Sequence, residues 1–502
     1  MVTGIPAHEQ AVARLRASYD AIPPGQTVRL AKKTSNLFRP RAGTDAPGLD
    51  VSGLGGVVSI DVEARTADVQ GMCTYEHLVD ETLPHGLIPY VVPQLRTITL
   101  GGAVSGLGIE STSFRHGLPH ESVVEMDIFT GAGEVVTTRP GDDLFDTFPN
   151  SYGSLGYATR LRIRLEPVSP YVSLRHVRFD DAGLLSKTIS RIMETKEYDG
   201  VRVDGLDGTV FAPGEYYLTL ATWTDTPAVV STGSTSGPGP TSGPGSTSGP
   251  GSTSGPGSTS GPGSTSRPAS TSGRQAPSDY TGREIYYRSI RQRETDLLTM
   301  YDYLWRWDTD WFWCSRAFGA QHPVVRRVWP RRWKRSDVYY KMVGLDHRFH
   351  VGAWLDRRKG NPEGERVVQD VEIPVDRLPE FLDWFDAEVG MRPVWLCPLV
   401  STGSIGGKQW PTYPLAPGEV YVNVGFWGNV PVGPDAPNAP RNRAIEAEVH
   451  ELGGHKSLYS EAFYDRETFD QLYDGVNLAL VKSRYDPEDR LTTLYDKAVR
   501  RR

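Results

Sequence analysis

Residues 92–117 read VPQLRTITLGGAVSGLGIESTSFRHG, five glycines and a run of small hydroxyl side chains set among strand-like sequence. Residues 97–100 (TITL) have the β-branched character of a strand and run into Gly101 and Gly102. Gly106 and Gly108 lead into Glu110, Ser111, Thr112 and Ser113. Main-chain N–H groups with no Cβ beside them can lie against the oxygens of a large ligand. Thr99, Gly101, Gly102, Gly106, Gly108, Ser111 and Ser113 are therefore candidate ligand-binding positions. Downstream, residues 123–137 (VVEMDIFTGAGEVVT) read as strand, turn and strand, a β-hairpin. Residues 152–159 (YGSLGYAT) add Gly153, Ser154 and Gly156, followed by the alternating strand TRLRIRL at 159–165.

No G-x-G-x-x-G follows a strand and opens a helix, so the dinucleotide fingerprint is absent. In order and spacing, the three elements resemble the FAD-binding domain of the vanillyl-alcohol-oxidase and p-cresol-methylhydroxylase (PCMH) superfamily. Further motifs narrow the resemblance: VWLCPL at 394–399, EVYVNVG at 419–425, YDRETF at 464–469 and LYDK at 494–497. Together with GIES at 108–111, they look like the delta-24 sterol reductase branch. RLAKKTSNLFR at 29–39 and TADVQGMCTY at 66–75 are similar to actinobacterial methylene-fatty-acyl reductases of the same branch, which complete 10-methyl branched chains on phospholipids.

The resemblance implies an α+β fold: a two-subdomain FAD-binding domain of PCMH type with an antiparallel-sheet cap. It implies FAD as cofactor and NADPH as reductant. Lys33, Thr34, Ser35 and Asn36 fall where the superfamily carries its first pyrophosphate-binding loop, with hydroxyl, amide and cationic groups in place of the usual glycines. That turn holds neither histidine nor cysteine, and His116 stands where relatives carry an aromatic residue, so FAD is expected to bind noncovalently.

Composition suits an enzyme large enough for two domains: 502 residues, 38% of them hydrophobic. A net charge of −7 argues against nucleic acid as partner. Cys73, Cys314 and Cys397 are widely spaced, which argues against a disulfide framework or a zinc site and for a reducing cytoplasm. His450 and His455 are separated by ELGG, a poor helical pattern for a metal, and no metal is expected. The first residues contain no apolar signal region, and the membrane-spanning N-terminus of the animal sterol enzymes has no counterpart. The expected location is cytoplasmic, peripheral on the inner face of the plasma membrane.

The breaks divide the chain into an FAD-binding domain (1–170), a first cap part (171–230), a disordered Ser/Thr/Gly/Pro linker (231–279), a cap and substrate domain (280–440) and a C-terminal segment (441–502). The linker repeats STSGPG, buries no apolar area and carries no chemistry. It separates a strand at 216–220 from a helix-like stretch at 286–306. The resemblance implies that the C-terminal segment returns to the flavin. Residues 301–335 hold six of the twelve tryptophans and eight Lys or Arg, the composition of a surface that meets lipid headgroups. The same aromatics would equally serve as a packed cap with a cationic rim.

Four residues are candidates for the chemistry. Glu110 is a proton donor if an apolar pocket raises its pKa, or alternatively a structural acceptor. Tyr464 and Tyr485 are phenols in the C-terminal segment, and Lys482 could neutralise a reduced flavin. Asp370 and Glu372 alternate along a strand, one face of which could contribute to the pocket. Three functions remain open: an NADPH-driven reductase of an isolated lipid alkene, with a 10-methylene acyl phospholipid ahead of a sterol side chain; an FAD-dependent alcohol or sugar oxidase; and a noncatalytic lipid-surface protein. Expected partners are the lipid substrate, a membrane surface and a fatty-acyl methyltransferase.

Overall fold

The protein is described by a computed structural model covering residues 2–32, 46–227, 276–282, 284–341, 364–433 and 435–500. Two antiparallel sheets divide it. The first has the order Val57–Asp61, Thr66–Gln70, Tyr157–Pro167, Val123–Phe129, Val135–Thr138, with Leu87–Pro89 paired to the far end of Tyr157–Pro167. Its central strand follows the expected alternation: Leu161, Ile163 and Leu165 are buried while Arg162 and Arg164 face solvent. On the outer face Arg160 donates to Asp127 Oδ2 at 2.6 Å and Glu125 Oε1 at 2.5 Å and also bonds Asp68, so one cation ties three strands together.

The N-terminal helix Ile5–Asp20 and the short parallel pair Arg29–Leu30 and Gly48–Leu49 enclose a small core of their own, including Ala11, Leu15, Tyr19, Val28 and Leu49. The hairpin expected at 123–137 is present, with Gly133 at φ 83° in its turn. The stretch 97–100 is not a strand. Thr99 caps the helix Leu100–Gly106, its Oγ1 accepting from Gly102 N at 3.3 Å, so the capping hydroxyl outweighs β-branched propensity.

The second sheet begins at Tyr171, just after the first ends at Pro167. It runs Thr295–Thr299, Tyr171–Phe179, Glu215–Thr224, Gly205–Ala212, Val394–Val400, Val420–Pro431, Gly364–Pro374, His455–Lys456. Its two faces go to different places. Val371, Ile373, Val394, Leu396, Val422 and Val424 pack under the helices Ala182–Thr195, Leu378–Glu388 and Pro440–Glu451. Ala182–Thr195 presents Leu185, Ile189, Ile192 and Met193 at helical spacing, and Asp181 caps it by accepting from Leu184 N at 2.6 Å. The alternate residues, Trp395, Cys397 and Leu399 among them, join the core shared with the first sheet. Strand periodicity thereby aims Asp370, between the helix-facing Gln369 and Val371 on its strand, toward the first domain.

The helix-like reading of 286–306 is replaced by a short helix Tyr286–Ser289, the edge strand Thr295–Thr299 and a helix Met300–Leu304. The Ser/Thr/Gly/Pro linker expected over 231–279 lies outside the described residues as far as 275. Its last four residues are ordered by pairing with the edge strand: Ser278 N donates to Leu297 O at 2.8 Å and its Oγ to Asp296 at 2.6 Å.

Candidate functional site

A cavity of about 420 Å³ lies between the first domain, the inward face of the second sheet and the C-terminal segment. Thr99, Gly101, Gly102, Gly106, Gly108, Gly153 and Gly156 all line it. The glycines are there for close packing. A Cβ at Gly101 would sit 2.7 Å from Gly71 O, one at Gly106 3.1 Å from the Tyr152 ring, and one at Gly108 2.9 Å from Pro93. Gly156 has φ +137° and would place a Cβ 2.5 Å from Phe129 O. Leu107 (φ 62°) and Tyr152 (φ 49°) hold left-handed conformations that side chains disfavour. They are fixed by Tyr152 OH donating to Gly106 O at 2.6 Å and Tyr152 N to Ser105 O at 2.8 Å. Lys497, on the same wall, donates to Tyr152 O at 3.0 Å and brings the C-terminal segment to the cavity, together with Ser457, Tyr459 and Thr492.

Gln94 is a wall residue that sequence reasoning quoted but did not assign. It is buried, and both its amide nitrogen and its amide oxygen lack a partner among the described residues. A buried donor and acceptor side by side fit a ligand edge carrying both kinds of group, such as a flavin ring.

Facing the glycine wall are Trp311, Phe312, Trp395 and Trp427. Phe312 is 4.6 Å from Trp427 and 5.6 Å from Trp395 between ring centroids, and Trp313 packs behind at 5.2 Å from Trp427. Trp311 and Phe312 have φ 46° and 57°, a strained turn that directs both rings inward. The tryptophan-rich segment is thus mainly interior: Trp305, Trp307, Trp311 and Trp313 are buried. Asp370 lines the cavity with Trp311, Trp395 and Trp427. Burial pushes its carboxyl up to about 7, against hydrogen bonds from Asn423 and Tyr459 that lower it. Tyr459 OH in turn accepts from Trp427 Nε1 at 2.8 Å, and burial followed by the Asp370 charge raises its phenol well above the usual range.

The other sequence candidates lie elsewhere. Glu110 does not line the cavity; its Oε1 accepts from Arg306 Nη2 at 3.3 Å, and the same nitrogen donates to Asp207 Oδ2 at 3.0 Å. Burial raises its carboxyl against the pull of Arg306. Trp307 and Trp395 also donate to Asp207 Oδ2, at 3.2 and 3.4 Å, so this buried group props the aromatic wall from behind. Ser111 is bonded to Tyr303 OH at 2.6 Å, Ser113 accepts from Glu110 N at 3.1 Å, and Ser154 is buried in a turn; none lines the cavity. Tyr464 is half-buried with its ring 6.2 Å from that of Tyr473, Tyr485 donates to Asp143 at 3.0 Å, and Lys482 pairs with Asp486 and Asp489. These three serve packing and pairing of the C-terminal helices rather than the cavity. Lys33, Thr34, Ser35 and Asn36 lie outside the described residues. Among the described residues no cluster of His, Cys, Asp and Glu could hold a metal, and burial holds His455 down to about 3, neutral.

The profile of an FAD binding domain matches residues 5–139. Human delta(24)-sterol reductase is 22% identical over 452 residues, covering 88% of this chain and 75% of that protein. The Arabidopsis thaliana delta(24)-sterol reductase is 23% identical over 475 residues, covering 90% and 77%. Rice cytokinin dehydrogenase 10 is 32% identical over 155 residues, 30% of this chain and 28% of the dehydrogenase. The fold, the glycine-lined cavity and these matches define an FAD-binding oxidoreductase of the PCMH-type superfamily. Within the superfamily, the chain stands on the delta-24 sterol reductase side, where similarity covers 88% and 90% of the chain against 30% for the cytokinin dehydrogenase.

FAD fits the residues present. The glycines, Gln94 and Lys497 offer close backbone approach, a paired donor and acceptor, and a cation along one cavity wall.

Proposed function

We propose that the protein adds two hydrogens across an isolated carbon–carbon double bond of a lipid, with NADPH as the ultimate reductant. The favoured substrate is a 10-methylene fatty acyl phospholipid, converted to its 10-methyl form. The observation that carries the reading is Asp370, a half-buried carboxyl that lines the cavity with Trp395, Trp427 and Tyr459 and that desolvation raises to about 7.

An isolated alkene has no carbonyl to polarise it. Its reduction needs an acid at one carbon and a place for positive charge at the more substituted one. Bound and reduced, FAD supplies the hydride. Asp370 keeps a proton available near neutral pH because its surroundings disfavour the anion, and Tyr459 bridges it toward the cavity. The ring faces of Phe312, Trp395 and Trp427 exclude water and favour positive charge on the branching carbon. The proton lost from the carboxyl returns from solvent between turnovers. Apolar rings on one side and few polar groups opposite suit a hydrocarbon chain better than a sugar or a free alcohol.

A sterol with an unsaturated side chain is the second reading, favoured by the relatives whose similarity spans nearly the whole chain. Both alkenes carry two carbon substituents at one end and make the same demand on the acid. To test the proposal, the purified flavoprotein is reduced anaerobically with NADPH and mixed with 10-methylene acyl phospholipid. Flavin reoxidation with a two-hydrogen gain in lipid mass is expected. Reoxidation by the sterol alone moves the substrate to the second reading, and bleaching of the flavin by alcohols instead of NADPH overturns both.

A further inference from the structure

Beyond the buried aromatics, the chain turns outward. Residues 322–335 (HPVVRRVWPRRWKR) contain six Lys or Arg and no acidic residue, in a protein of net charge −7. The helix Pro323–Val328 is anchored by one side: Arg326 donates to Asp310 Oδ1 at 2.6 Å. Lys334 donates to Gly282 O at 2.8 Å, and Arg335 forms a bidentate pair with Glu76, both contacts 2.8 Å. These inward cations fix the segment and leave another set of side chains outside. Val324 is 66% exposed, Val328 75% and Trp333 49%, with exposed Arg327 and Arg332 between them. Val324, Arg327 and Val328 are spaced i, i+3 and i+4 and share one helical face. The Arg332 guanidinium lies 5.8 Å from the Trp333 ring centroid.

We propose that this patch docks the protein on a phospholipid surface bearing anionic headgroups. Two valines and a tryptophan insert at the boundary, and Arg327 and Arg332 meet phosphates, the division of labour seen for shallow interfacial anchors. Net negative charge over the rest of the molecule favours this orientation, because this face carries cations that such a surface attracts. The position also serves the chemistry. Trp329 packs with Tyr339 on the cluster that includes Trp311, and Trp311 lines the cavity, so the patch backs onto the cavity wall. In purpose, though not in its geometry, the inference rests on the lipid-substrate reading.

The holoenzyme is sedimented with vesicles of phosphatidylcholine alone and of phosphatidylcholine mixed with phosphatidylglycerol. It is expected to bind the mixed vesicles, to lose binding in high salt, and to bind on the order of tenfold more weakly after Arg327→Gln with Arg332→Gln. Val324→Ser, Val328→Ser and Trp333→Ser together are expected to lose binding while the flavin spectrum and reduction of detergent-dispersed lipid persist. Equal binding to both vesicle types, variants that sediment like the parent, or a lipid-free self-association abolished by the same substitutions would each overturn it. Vesicle binding needs no turnover: binding without alkene reduction sinks the catalytic proposal alone, and reduction of dispersed lipid without binding sinks the docking proposal alone.

Discussion

Asp370 and Trp395 stand in register on either side of Gly425, and the missing side chain lets the carboxyl lie over the central strand. A Cβ at Gly425 would fall 2.3 Å from Asp370 Oδ1 and 3.0 Å from the Trp427 ring. Gly425→Ala is therefore expected to displace the acid while the flavin stays bound. The lipid-driven reoxidation rate should drop roughly tenfold or more, with flavin reduction by NADPH little changed, in single-turnover stopped flow.

Asp370→Asn should slow reoxidation by lipid roughly a hundredfold or more and spare reduction by NADPH. In the parent, lipid-driven reoxidation should fall as pH rises through about 7, where the carboxyl loses its proton, and this limb should vanish in the variant. Unchanged pH dependence in the variant would reject Asp370 as the acid.

Stability gives an independent check on the same group. Because the folded-state pKa is raised, protonation favours the native state. The contribution is complete below the unfolded carboxyl value of about 3.9 and is lost as pH rises through about 7. Thermal melts across this window should show Asp370→Asn gaining on the parent at the alkaline end.

The Glu110–Arg306–Asp207 group should behave as architecture. Arg306→Ala leaves two buried carboxyls uncompensated and is expected to cost about 3 kcal/mol or more in urea unfolding. Glu110→Gln and Tyr485→Phe should retain both half-reactions within about twofold, since neither residue reaches the cavity.

Gly106→Val would push a branched side chain against Tyr152 inside the cavity. The protein should fold with depleted flavin, seen as a lower ratio of flavin to protein absorbance. Gln94→Leu should bind flavin about tenfold more weakly through loss of its paired donor and acceptor.

Much of the first domain was legible because glycine reports backbone crowding directly: Gly101, Gly106, Gly108, Gly153 and Gly156 were read as ligand-facing and all line the cavity. The hydroxyls interspersed with them were less legible, since Ser111 and Ser113 spend their bonding capacity on neighbours in the fold. Glu110 misled for a similar reason: its partner Arg306 lies 196 residues away, and no local pattern announces a buried ion pair of that span. Alternation along Gly364–Pro374 disclosed that Asp370 has a face of its own. Which face meets the cavity depended on a sheet order that periodicity does not contain. The tryptophans after Tyr301 were visible as composition, but only the strained turn at Trp311 and Phe312 decides that their rings point inward. Tyr459 sits in a stretch without distinguishing pattern and was missed.

The embrace between the two ends of the chain bears on how the flavoprotein is made. Val28 N donates to Arg490 O at 2.9 Å, the Arg490 guanidinium lies 4.0 Å over Tyr19, and Lys497 closes on Tyr152. These contacts span most of the chain, so the first domain gains them only once the segment carrying Arg490 and Lys497 has been synthesised. The cavity wall formed by Tyr152 with Lys497 is therefore the last to be completed, its two halves being made at opposite ends of synthesis.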